Sequence, residues 1–101
     1  TALAYKSPKG LVIITGCSHS GICNMVEYAR KVCGDGRVVD ITGGFHLLDP
    51  NREQLQGTMA YFEALNPNCV HACHCTDLAS KIALSGVVPV KEVGVGLALE
   101  Y

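Results

Sequence analysis

Three of the four histidines stand in matching places. His19, His46 and His74 each follow an apolar run and precede a helical pattern, in "LVIITGCSHSGICN", "VVDITGGFHLLDPN" and "NCVHACHCTDLA". Neutral imidazole is the commonest metal ligand. A catalytic zinc takes three protein ligands and leaves one position to water. Three imidazoles on three separate loops suit that chemistry, and their wide spacing does not suit a zinc finger. A lone histidine near a helix start is more often a backbone-bonded polar residue than a ligand. Three in equivalent positions shift the balance toward a shared site.

Cys69-x-His71-x-Cys73-His74-Cys75 is a second dense group. By strand alternation His71 shares a face with Cys69 and Cys73, while Val70 and Ala72 point the other way. Side chains along one strand face are too linear to wrap an ion alone, so small thiols packing in a sheet are favoured over a separate metal site. The six cysteines (Cys17, Cys23, Cys33, Cys69, Cys73, Cys75) all sit in apolar, periodic segments. That placement predicts mostly free, buried thiols in a reducing cytoplasm rather than a disulfide framework.

"GCSHSG" has two other readings. As a phosphate loop it fails, because no Gly-Lys-Ser/Thr follows. As a nucleophile elbow it would offer Ser18, with His74 or His46 as base, although Ser20 replaces the second glycine. Nothing local marks Cys17 as a thiolate. The carboxylates form no spaced pair for acid–base work, and Asp49 and Asp77 suit helix caps or first turns. Gly43-Gly44 and Gly94-x-Gly96 permit turns or a close backbone approach.

The elements that must position these residues follow from periodicity. Leu11 to Thr15 reads as a strand. Ile22, Met25, Val26, Ala29, Val32 and Cys33 follow a helical stripe, with Ser18 or Ser20 as cap and Gly34 as stop. Arg37 to Thr42 is a second strand, then "FHLLDPN" is a loop whose Asp49-Pro50 suits a cap and first turn. Leu55, Met59, Phe62 and Leu65 predict a helix that stops before Pro67. Asn68 to Cys73 is a third strand. Thr76 would cap a helix carrying Leu78, Ile82 and Ala83 and ending at Gly86. Val88 to Val95 predicts a fourth strand, continuing toward Leu97 and Leu99. Four main strands alternating with three helices predict an α/β fold with a largely parallel sheet. In such sheets ligands bind beyond the carboxyl ends of the strands, where the three histidines fall.

At 101 residues the chain has the size of one domain, spanning 1–101. It is 49% apolar with a net charge of −1, which points to apolar surface covered from outside the chain. No basic stripe supports nucleic-acid binding, and no apolar run approaches the roughly 20 residues of a membrane span. No signal-peptide pattern opens the chain. "TALAYKSPKG" lacks an initiator Met and reads as a strand end and a hairpin turn at Pro8-Lys9-Gly10, so a piece of a longer protein is expected.

Taken together, "GLVIITGCSHSGICN", "ITGGFHLL", "HACHCTD" and "VGVGLALEY" resemble the C-terminal half of metallo-β-lactamase-fold proteins. They are most similar to the dihydropterin–ribofuranosylaminobenzene phosphate synthase-like group. The resemblance implies half of an αββα sandwich with its metal site at the sheet edge. It places His19 and His74 at metal-ligand positions and His46 as a ligand or substrate contact. It implies zinc or another divalent metal, one or two ions in the intact protein, and metal-assisted hydrolysis. The helix start at Ser20-Gly21 would offer N–H groups to an anionic or phosphorylated small-molecule substrate. Two departures stand out: the family's His-x-His-x-Asp-His motif is not in this sequence, and Asp77 stands where the family has glycine. With that half missing, weak metal binding, an uncovered apolar face, and a homo-oligomer or association with the N-terminal half are expected. A non-catalytic half-fold module acting by association is the alternative.

Overall fold

The computed structural model describes residues 2–101. Its elements run β1 (Ala2–Ser7), β2 (Gly10–Thr15), α1 (Ile22–Cys33), β3 (Val38–Gly43), α2 (Arg52–Leu65), β4 (Cys69–Ala72) and α3 (Leu78–Ser85). One sheet has the order β1-β2-β3-β4. β1 and β2 form an antiparallel hairpin, while β2–β3 and β3–β4 are parallel. The hairpin turns at the predicted Pro8-Lys9-Gly10, where Ser7 Oγ donates to the Gly10 carbonyl at 2.6 Å.

Strand alternation divides the sheet into two unlike faces. Ile13, Ile41 and Val70 are register neighbours across three strands and have no exposed surface. They join Val26 of α1, Phe62 of α2 and Leu84 of α3 in one hydrophobic cluster, so this face carries the helices. Phe45 meets Phe62 edge to face, with ring centroids 5.8 Å apart, a favourable aromatic geometry. The other face carries the rows Tyr5–Val12–Asp40–Cys69 and Leu3–Ile14–Thr42–His71. Leu3, Tyr5 and Ile14 there remain 69%, 53% and 47% exposed. Leu97, Leu99 and Tyr101 from the end of the chain border the same face.

Several sequence expectations need correction. Val88 to Val95 is not a strand. Only Val90 bridges to Val70, through Val70 N–H to Pro89 O and Lys91 N–H to Val70 O, both 2.9 Å. Pro89 lacks an N–H to extend a ladder, and Gly96 turns the chain at φ 90°. The fourth strand is instead β1. Neither Ser18 nor Ser20 caps α1, which starts at Gly21 with no side-chain cap, while Gly34 ends it in the predicted left-handed conformation. Asn51, not Asp49, caps α2 by accepting from Gln54 N–H at 2.7 Å. Asp77, not Thr76, caps α3. All six cysteines are free, but half-buried rather than buried. Among the described residues, no helix is long and apolar enough to cross a membrane.

Candidate metal centre

Because β2, β3 and β4 are parallel, the loops leaving Thr15, Gly43 and Ala72 emerge at one sheet edge. Backbone bonds lock the three loops to each other. Gly44 N–H donates to Gly16 O at 2.8 Å, Cys73 N–H to Gly43 O at 2.8 Å, and Leu47 N–H to Cys75 O at 2.7 Å. Side chains add to the lock. Phe45 N–H donates to Thr76 Oγ1 at 3.0 Å, and Ser18 Oγ–H donates to Gly44 O at 2.6 Å. Four non-glycine residues hold left-handed backbone in these loops: Ser18 (φ 61°), His46 (φ 54°), Asp49 (φ 44°) and Cys75 (φ 46°). Each such residue costs on the order of 1 kcal/mol. Conformations of that kind persist where the surroundings over-determine them, and they cluster at functional sites.

The edge presents its histidines in two pieces. His19 and His46 are exposed and their rings pair with centroids 4.9 Å apart. His74, also exposed, has Nε2 3.0 Å from Cys17 Sγ. Cys17, His74 and Cys75 form a trio whose ligand atoms lie within 4.8 Å of one another, whereas His19, His46 and His74 form no such single group. Sequence reasoning passed over Cys17 and Cys75 as site residues. Their signal was position, each within two residues of a candidate histidine. The donors fit a zinc-class metal, for which imidazole and thiolate are favoured ligands. No carboxylate belongs to the trio.

The nucleophile readings do not survive the geometry. Ser18 is buried, and its hydroxyl is engaged by Thr15 Oγ1 at 2.9 Å and Gly44 O, with no histidine among its partners. It is a structural tie between two loops. Cys17 does meet an imidazole, but partial burial and the adjacent Cys75 thiol push its pKa up, opposite to the shift that activates a cysteine. Ser20 is exposed at the head of α1, and Asn24 Nδ2 donates to its carbonyl at 2.8 Å. Gly21, at φ 96°, is the helix cap itself.

Asp77 is turned to the scaffold. Its Oδ1 accepts from Ser80 N–H at 2.8 Å and its Oδ2 from Asp49 N–H at 2.7 Å, joining the α3 start to the His46 loop. Hydrogen bonds from Ser80 and from the Asp49 backbone hold its carboxyl below the usual range. A carboxyl with a lowered folded pKa stabilises the fold above its unfolded pKa, and that stability is lost as pH falls through the folded value. Asp77→Asn is therefore expected to flatten the acid limb of a plot of Tm against pH while leaving neutral-pH spectra native. An unchanged acid limb would remove Asp77 from this role.

No family model matches the chain. Two curated proteins of Methanocaldococcus jannaschii are similar to it. One is a 7,8-dihydropterin-6-methyl-4-(beta-D-ribofuranosyl)-aminobenzene-5'-phosphate synthase, 39% identical over 74 residues, which are 73% of this chain and 25% of that protein. The other is an uncharacterized protein, 36% identical over 74 residues, which are 73% of this chain and 27% of that protein. In structure the chain superposes on Tm1679, a metal-dependent hydrolase of the β-lactamase superfamily, with a TM-score of 0.91 and 30% identity. The match covers 99% of this chain and 40% of that one. The chain thus spans about a quarter of the curated relatives and two fifths of the solved structure. With four strands, three helices and this neighbour, the chain has the architecture of half a metallo-β-lactamase fold.

Proposed function

We propose that the chain supplies the histidine-bearing loops of a metal-dependent hydrolase of the metallo-β-lactamase superfamily. The observation that carries this reading is the interlocked edge, where loops after three parallel strands each expose a histidine on a strained, hydrogen-bonded backbone. His19 and His74 would hold a divalent metal, zinc by donor type, with His46 as a further ligand or a substrate contact. When bound, such a metal polarises the attacked carbonyl or phosphoryl oxygen and lowers the pKa of its water. The chain's own contribution is positional: the loop ties fix the imidazoles, and the α1 start at Ser20-Gly21 presents N–H groups to an anionic substrate. A phosphorylated substrate agrees with the name of the synthase relative. Ligands of the His-x-His-x-Asp-His type would come from outside residues 1–101.

The test is turnover of an activated phosphodiester or ester by the protein that carries this chain. Chelation should abolish it and added zinc restore it. His19→Ala and His74→Ala should each lower it at least tenfold, about 1.4 kcal/mol of transition-state stabilisation, while His71→Gln retains it. Turnover indifferent to chelator or to both edge histidines would refute the reading.

The exposed side chains of Leu3, Tyr5 and Ile14, in two adjacent rows of the open sheet face, favour a second reading, a module that works by association, because exposed apolar patches mark interaction surfaces. On that reading the purified chain scatters light as a dimer or larger. Replacing Leu3, Tyr5 and Ile14 together by threonine should return it to a monomer. A wild-type monomer at high concentration would count against it.

A further inference from the structure

We propose that Asp40, Cys69 and His71 form a second metal site, of the zinc class, on the sheet face opposite the helices. It lies in the middle of strands rather than on the histidine-bearing loops. The three ligand atoms lie within 4.8 Å of one another. Cys69 and His71 alone are the linear pair that a strand face provides. The third corner comes from the neighbouring strand, because Asp40 is the register partner of Cys69 in the parallel β3–β4 pair. A line of two thus becomes a triangle.

The site is built rather than incidental. Asp40 is fully buried and His71 is 4% exposed. His71 Nδ1 lies 2.9 Å from Asp40 Oδ1 and 2.8 Å from Oδ2. A buried carboxylate requires a compensating partner. Among the described residues, no lysine or arginine forms an ion pair with Asp40. A carboxylate, a thiolate and a neutral imidazole around a divalent ion sum to no net charge, which suits burial. A thiolate–imidazole–carboxylate set selects zinc-class ions over magnesium or calcium. A cavity of ≈ 460 Å³, bordered by all three side chains and by Leu97, Leu99 and Tyr101, leaves room for water as the fourth ligand.

Binding has a defined proton balance. Cys69 loses its thiol proton to solvent, and His71 carries its single proton on Nε2 so that Nδ1 offers its lone pair. Zinc–nitrogen and zinc–oxygen bonds of about 2.0–2.1 Å give tetrahedron edges of about 3.3 Å. Asp40 and His71 must therefore part by about half an ångström, which a turn of the carboxylate supplies.

Cobalt substitution tests the assignment on the whole chain, freed of metal and titrated with Co²⁺. A sulfur-to-cobalt charge-transfer band should appear, persist in the Cys17→Ser, Cys75→Ser double variant, and vanish in Cys69→Ser. No band in the wild type, a band that survives Cys69→Ser, or one that disappears with Cys17 and Cys75 would overturn the proposal. A wild-type measurement guards against a misfolded variant. Zinc should shift the ¹⁵N resonance of His71 Nδ1 out of the range of free imidazole. An unshifted His71 at saturating zinc overturns the proposal whatever the cobalt spectra show.

Discussion

Gly43→Ala is expected to destabilise the fold by more than about 3 kcal/mol, beyond the ordinary range for point changes. Gly43 is the last residue of β3, at φ 142°, a region that residues with a Cβ avoid. A Cβ there would stand 2.1 Å from the Thr15 carbonyl oxygen and 2.7 Å from the Thr15 methyl. The obstacle is backbone of the adjacent strand, so no rotamer change relieves it. The carbonyl of Gly43 also receives the Cys73 N–H, so displacing it disturbs the third loop as well as the first. Gly57→Ala is the matched control. It lies in α2 with nothing within 4 Å of its Cβ position, and alanine there should add about 0.5–1 kcal/mol. Urea midpoints at constant m-value measure both. A Gly43→Ala protein within about 1 kcal/mol of wild type would show that the three loops are not locked as described.

That lock explains what the sequence did and did not disclose. Period-3.6 stripes located α1 and α2, because Val26 and Phe62 must reach one core, whereas α3 turns Leu84 inward and leaves the expected stripe residues Leu78 and Ile82 at 72% and 62% exposure. The edge placement of His19, His46 and His74 followed from parallel strands, whose carboxyl ends share a side. The N-caps of α1 and α2 were misassigned, and at α3 Asp77 rather than Thr76 proved to be the cap of the two candidates, because each neighbourhood held several candidate oxygens and the tertiary lock claimed some of them. Ser18 ties to Gly44 O and Thr76 receives Phe45 N–H, so neither was free to cap. Val88 to Val95 carries a strand's composition, but strand formation needs a partner ladder, and Val70 alone supplies one. The pairing of His74 with Cys17 spans 57 positions, so local patterning shows only that Cys17 stands beside a candidate histidine, not which imidazole it meets. Nor does it place Asp40 beside His71. Alternation placed His71 on a face with Cys69 and Cys73, yet only strand register could add a carboxylate from β3.

The Asp40–His71 pair carries the second large expectation. With chelator present, Asp40→Leu and His71→Leu should each cost about 3–5 kcal/mol, while the double variant recovers most of that loss. Each single change leaves one polar partner buried and uncompensated. Asp40 without His71 keeps only the Tyr101 hydroxyl and a long contact from Thr42 Oγ1 at 3.4 Å. Burial and the Asp40 carboxylate hold the Tyr101 phenol up at about 12, so it stays a donor through neutral pH. That single donor does not replace an imidazole. The double change removes both polar groups and leaves an apolar row beside Ile14 and Val12, where leucine packs well. Denaturant unfolding of the four proteins gives the coupling directly, and strictly additive costs would show that the pair does not act as a unit. A double variant as stable as wild type would carry a further implication. Such a pair confers no stability that leucine does not, so its presence in the middle of a sheet calls for a chemical use, and a metal ion between Asp40, Cys69 and His71 is one that these three side chains can supply.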